Sequence, residues 1–219
     1  AAAYLEWVRE EILPLLAKRK LAGRVEVALA GAACGRADGE AYAAAARRAG
    51  LDIAVRLLGP GSWLPEGTVA ASGLRHLEHA AARLADNGPV AVLTPGAHFH
   101  CGGAEPEPAR ECIDAGAAVA ISTAFHPRES PTPSMPMAIA LACAQLRMPP
   151  AEAITAATIN GACALGISAL TGSFEVGKSA DMLVMNASDY REIPMNFGIN
   201  PVMMALRQGQ VIFPRLEPA

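Results

Sequence analysis

The feature that most constrains this chain is an alternation. A short apolar run, a loop marked by Gly or Pro, and a helical segment follow one another about five times from Arg24 onward. Strands joined through helices run parallel, because a parallel pair needs a crossover of roughly a dozen residues or more. Such sheets are covered by the helices that connect them, so the expected fold class is α/β.

Taken in order, Leu5, Val8, Ile12, Leu15 and Leu16 share one face of a helix expected over 4–20, and Lys18, Arg19 and Lys20 suit the negative end of its dipole. RVEVAL (24–29) reads as a strand, Asp38 as the cap of a helix over 39–49, and DIAVRLL (52–58) as the next strand. A short helix is expected over 65–72, a brief strand carrying His76 over 73–78, and a helix over 79–86. A strand over 89–94 leads into a loop over 95–103, with His98 and His100 alternating along extended chain. A helix over 107–115, a strand over 117–122 and helices over 134–148 and 151–165 follow. Beyond Gly166 the period changes to two, which predicts a small antiparallel module with strands up to Met185, over 202–207 and over 210–213. Residues 1–165 and 166–219 are therefore expected to form two structural parts.

Composition narrows the function classes. With 219 residues and a formal net charge of -3, the chain lacks the concentrated basic face that binding to nucleic acid requires. No apolar run approaches the roughly 20 residues that span a bilayer, so neither nucleic acid nor membrane is an expected partner. The five cysteines, Cys34, Cys101, Cys112, Cys143 and Cys163, show no CxxC spacing and read as small core residues in a reducing, cytoplasmic setting. The opening Ala1-Ala2-Ala3, without an initiator Met, is expected to mark a piece of a longer protein.

The strand over 117–122 opens into Thr123-Ala124-Phe125-His126-Pro127-Arg128-Glu129-Ser130, which places ionisable side chains directly after an interior strand. In α/β folds the carboxyl ends of strands are where ligands bind. His126, Arg128 and Ser130 are the expected ligand contacts there, and Glu105, Glu107 and Glu129 are further polar candidates at the mouth.

HLEH (76–79), AVLTPGAHF (91–99), STAFHPRESPT (122–132), GSFEVGKSADMLVM (172–185) and YREIPMNFGIN (190–200) together resemble imidazolonepropionases of the amidohydrolase superfamily in order and spacing, as does the N-terminal segment from Tyr4 to Val27. The resemblance implies a partial TIM-like (β/α) barrel: the second half of the barrel over 1–165, with 166–219 supplying strands of a small composite β-domain. It also implies zinc or iron chemistry against a cyclic amide C–N bond in histidine degradation. The matching half lacks the first strands, which carry the family's His-x-His pair.

Two further ligand positions depart from the family. Leu57-Leu58-Gly59-Pro60-Gly61 stands where the resemblance expects a metal histidine and, just after it, a catalytic Glu, and Thr123-Ala124-Phe125-His126-Pro127-Arg128 stands where it expects a TDxNPG motif with a metal Asp. Neither Leu nor Ala has a lone pair to give a metal. His76 keeps a position that the resemblance assigns to catalysis, yet one histidine cannot lower the pKa of a bound water as zinc does.

His76, His98, His100 and His126 all fall at or just after strand ends. One reading is a rebuilt metal site using His98 and His100, because imidazole is a common ligand for transition metals. The other is a vestigial pocket in which these histidines bond to water, backbone or each other. The first reading leads to a hydrolase completed by a missing N-terminal region or partner chain, with zinc or iron bound. The second leads to a catalytically degenerate scaffold or binding subunit without metal, not an enzyme by itself. That subunit would work as a homo-oligomer or with a complementary chain, and a vestigial pocket leaves room for a small-molecule ligand.

Overall fold

The computed structural model describes residues 2–30, 35–85, 88–102 and 106–214. Helix α1 (Ala2–Trp7) continues through a π turn, Val8–Ile12, into α2 (Leu13–Arg19). Pro14 has no N–H to donate, which interrupts the regular ladder at this point. Strand β1 (Arg24–Leu29), helix α3 (Arg36–Arg48) and strand β2 (Asp52–Leu57) follow. Asp38 lies in the first turn of α3 and Gly35 occupies the cap position, so Asp38 is not the expected cap.

The next segment differs most from the sequence reading. Residues Thr68–Ser72 form strand β3, where a helix was expected, and Leu74–His76 form a single 3-10 turn, where a strand was expected. The β-branched Thr68 and Val69 suit a strand, and Leu74 and Leu77, three apart and both buried, carry a helical period. Gly73, with φ +72°, makes the turn possible. A Cβ there would sit 2.2 Å from the Leu57 carbonyl oxygen, so only glycine lets β3 end this close to β2.

Helix α4 (Ala80–Leu84), strand β4 (Val90–Leu93) and helix α5 (Pro95–Cys101) come next. α5 replaces the expected loop: Pro95 is preorganised for the first helical turn, where its missing N–H costs nothing. Helix α6 (Ala109–Asp114), strand β5 (Val119–Ile121) and helix α7 (Met135–Leu146) complete the alternation. Ser134 caps α7 by accepting from the Met137 N–H. The helix expected over 151–165 is two helices, α8 (Pro150–Ala157) and α9 (Ile159–Ala164). At the break, the Thr158 hydroxyl donates to the Ile154 carbonyl four residues back.

The five strands form one parallel sheet in the order β1-β2-β3-β4-β5. Sequential order with no switch point is that of consecutive strands in a (β/α) barrel rather than of a doubly wound sheet. Val27, Leu29, Ile53, Val55, Leu57, Leu93 and Ile121 alternate onto the helix-covered face and belong to the main core. The other face carries Glu26, Ala54, Arg56, Ala70, Ser72, Val92 and Ala120. Ala164 of α9 packs there against Ala70, Val90 and Ala120.

The expected change of period is present. Strand β6 (Met182–Met185), helix α10 (Glu192–Met195), strand β7 (Val202–Arg207) and strand β8 (Gln210–Phe213) follow, and the three strands pair antiparallel in the order β6-β7-β8. Among the described residues no helix is long and apolar enough to cross a membrane. Of the described cysteines, only Cys112 is buried, where burial pushes its thiol up to about 11. Cys143 is half-buried, and Cys101 and Cys163 are exposed, which corrects their reading as core residues. Cys34 lies outside the described residues.

Candidate functional site

The carboxyl ends of β2 to β5 bring the expected site residues to one end of the sheet, each in a different setting. His76 follows β3 in its 3-10 turn and is half-buried; burial holds its imidazole below the ordinary histidine value and Arg75 acts in the same direction. His98 and His100 sit on α5. Two residues apart on a helix they point to opposite sides, not the same side as an extended chain would give. His98 is half-buried with Nδ1 enclosed and without a partner, whereas His100 is exposed.

After β5, His126 and Ser130 close a small loop through two backbone hydrogen bonds of 3.0 Å, each N–H donating to the other's carbonyl. The His126 Nδ1 accepts from the Arg128 N–H at 3.3 Å, and both side chains are exposed. Ser130 is fully buried. Its hydroxyl donates to the Thr123 carbonyl at 2.6 Å, and a Cβ on Gly96 would sit 2.8 Å from its Oγ. In this arrangement Ser130 joins the loops after β4 and β5.

Glu107 is the unexpected buried charge, 2% exposed. Its Oε2 accepts from the Thr94 N–H at 2.5 Å, and Oε1 is enclosed with no partner. Burial raises its pKa, opposed by the Thr94 N–H and by Arg75. The carboxyl thus fastens the start of α6 to the end of β4. Glu105 lies outside the described residues.

The metal implied by the resemblance is tested by the donors present. Leu57 faces the helices and is 2% exposed, so the side chain that faces inward at the end of β2 is Arg56. Its guanidinium donates from Nε at 3.0 Å and from Nη2 at 2.5 Å to Glu26 Oε1. At the β5 end, Ala124 has only its backbone to offer, and its N–H already donates to Ser122 Oγ. Among the described residues no three His, Cys, Asp or Glu side chains come together as a metal-holding group. A guanidinium, a leucine and an alanine do not fit a divalent cation, and His98 and His100 are not joined by a third ligand. The sequence reading did not single out the Arg56–Glu26 pair on this face. The alternation in DIAVRLL carries the signal, since Ile53, Val55 and Leu57 on the core face leave Arg56 on the other.

Consecutive parallel strands, covered by helices on one face and carrying polar side chains at their carboxyl ends, are the arrangement of a segment of a (β/α) barrel. The chain belongs to the amidohydrolase family, whose model matches residues 8–212. It is 34% identical to the imidazolonepropionase of Solibacter usitatus over 219 residues, covering 97% of this chain and 52% of that protein. Over 139 residues it is 41% identical to the imidazolonepropionase of Geobacillus thermodenitrificans, covering 64% of this chain and 32% of that protein. The chain therefore spans between a third and about half of the length of these curated relatives. Among solved structures it resembles a molinate hydrolase (TM-score 0.69, 15% identity, 100% of this chain and 57% of that one). It also resembles the guanine deaminase of E. coli (TM-score 0.61, 18% identity, 93% and 51%), and at such identities both show the fold alone.

Proposed function

We propose that this chain is an imidazolonepropionase-like half-barrel that serves as a catalytically degenerate scaffold or binding subunit in an assembly with a second copy or a complementary chain. The observation that carries the reading is the donor set: Leu57-Leu58 and Ala124, whose side chains have no lone pair, stand where the resemblance expects metal ligands, and the inward-facing Arg56 beside them is a cation paired with Glu26. Two further features support it. Among the described residues, β1 and β5 end the parallel sheet without partner strands, and such edges are ready templates for pairing. The antiparallel sheet exposes Leu183, Val184, Met203, Ile212 and Phe213, an apolar surface of the kind that marks association.

A second reading, a cyclic-amide hydrolase completed by another segment or chain that brings metal ligands, is favoured by His76. Burial, with Arg75 beside it, lowers its pKa and so favours the neutral imidazole that a general base requires. Native mass spectrometry of the protein isolated from its own source separates the two. A metal-free species with a stoichiometric partner is the expected result. A metal-bearing species that hydrolyses an imidazolone, and loses that turnover in His76→Ala, would overturn the scaffold reading.

A further inference from the structure

A cavity of about 720 Å³ lies on the helix-covered side of the parallel sheet, between the 3-10 turn Leu74–His76, α4, the start of α6 and the end of α7. Arg56 and Glu26 are on the other face, so this space is separate from the inward-facing strand ends. Its floor is apolar: Leu74, Leu77, Ala80 and Leu146 line it and belong to the main core. Glu107 and Gln145, far apart in the chain, border the same cavity, and each has an enclosed Oε1 with no hydrogen-bond partner among the described residues. The Glu107 carboxyl is not free to turn toward one, because the Thr94 N–H holds its Oε2 at 2.5 Å. A buried carboxylate oxygen without a donor is costly, so the cavity calls for a group that donates.

The rim is mainly cationic. Arg75 and Arg147 line it, exposed and without an ion pair among the described residues, whereas Arg110 is engaged by Asp114 and Glu152. Glu111, also at the rim, is exposed to water. Arg75 lies close enough for its charge to act on the Glu107 carboxyl. A bare cation would therefore meet the arginines, and a bare anion would meet the buried Glu107. A molecule that carries both charges a few bonds apart meets neither objection.

We propose that this cavity is a binding site for a free α-amino acid with an apolar side chain. Its ammonium, with three N–H donors, serves Glu107 Oε1 and Gln145 Oε1, its carboxylate faces the Arg75 guanidinium, and its side chain lies on the Leu74–Leu77–Leu146 floor. The cavity falls within the size range of small-molecule sites, which are largely apolar with a few placed polar groups. The inference does not rest on the assembly reading: a chain isolated without a partner still carries this cavity, and a failed titration would leave the assembly standing.

The test is a thermal-shift and chemical-shift titration of the full chain with L-leucine. 4-Methylpentanoate and 3-methylbutylamine serve as the same skeleton without the ammonium and without the carboxylate. Leucine is expected to raise the melting temperature saturably, as any ligand of the folded state does, and to move the amide signals around Glu107 and Gln145. Each half-ligand should bind about tenfold or more weakly. Glu107→Gln keeps an acceptor for Thr94 and so the local fold, yet it should weaken leucine binding by about ten- to a hundredfold, the range for a hydrogen bond to a charged group. Arg75→Gln, at an exposed position, should weaken it by about threefold. No saturable response, equal leucine affinity in wild type and Glu107→Gln, undiminished binding by Arg75→Gln, or either half-ligand binding as tightly as leucine would each overturn the site.

Discussion

The parallel and antiparallel sheets are built from similarly apolar sequence and end in opposite situations. In the parallel sheet Ile53 is 0% exposed, because helices joined to the strands cover that face. In the antiparallel sheet Leu183 is 58% and Ile212 57% exposed, and no residue of its three strands is fully buried. The crossover helices of a βαβ chain supply their own cover, whereas a three-stranded meander must find it elsewhere. Apolar sequence therefore creates a core only where the connection brings a second layer back onto the strand.

The comparison breaks most sharply at its buried end. Ile53→Ala should cost about 3 kcal/mol of unfolding free energy, read from the denaturant midpoint, because it empties a site enclosed by the main core. A loss below about 1 kcal/mol would mean that the helical layer is not packed on this sheet. A middle-sized effect is expected at Glu107. Its folded-state pKa is raised by burial above the unfolded value, so its contribution to stability is fully present below the unfolded carboxylate value and is lost as pH rises through the folded one. Glu107→Gln, neutral at every pH and still able to accept from Thr94, should match wild type near pH 4 and melt progressively higher as pH rises to 7. Parallel pH profiles for the two proteins would remove the buried charge from the account. The smallest effect belongs to the open sheet: Leu183→Ser in the free chain should change unfolding free energy by no more than about 0.5 kcal/mol. A larger destabilisation would show that this face is already covered in solution.

Much of the parallel half was legible. RVEVAL lies on β1 at the expected residues, DIAVRLL on β2 to within one, and the change of period beyond Gly166 marks the antiparallel strands. The segment from Pro65 to Glu78 was not, because five residues of Thr, Val, Ala and Ser carry little periodicity, and the Leu74–Leu77 spacing was taken for part of a strand. α5 was hidden by Pro95 and Gly96, read as loop formers, although Pro95 stands at a helix start where proline is welcome.

The candidate site divides along the same line. The missing ligand chemistry at Leu57 and Ala124 was readable directly, since a residue type either has a lone pair to give or lacks one. The Arg56 face was readable in principle from alternation. The burial of Glu107 and the closing of the 123–130 loop by Ser130 were not, because each depends on a contact between segments that share no local pattern.

The sequence by itself determined the strand–helix alternation of the first part, the change from parallel to antiparallel pairing, and the residue types at the strand ends, because these rest on local periodicity and chemistry. Only the tertiary structure decided which of those side chains share a layer. The register that sets Ala28, Arg56 and Ser72 side by side is a pairing between strands far apart in sequence, with Gly73 passing close over the Leu57 carbonyl where β3 ends, and neither is written in any one strand.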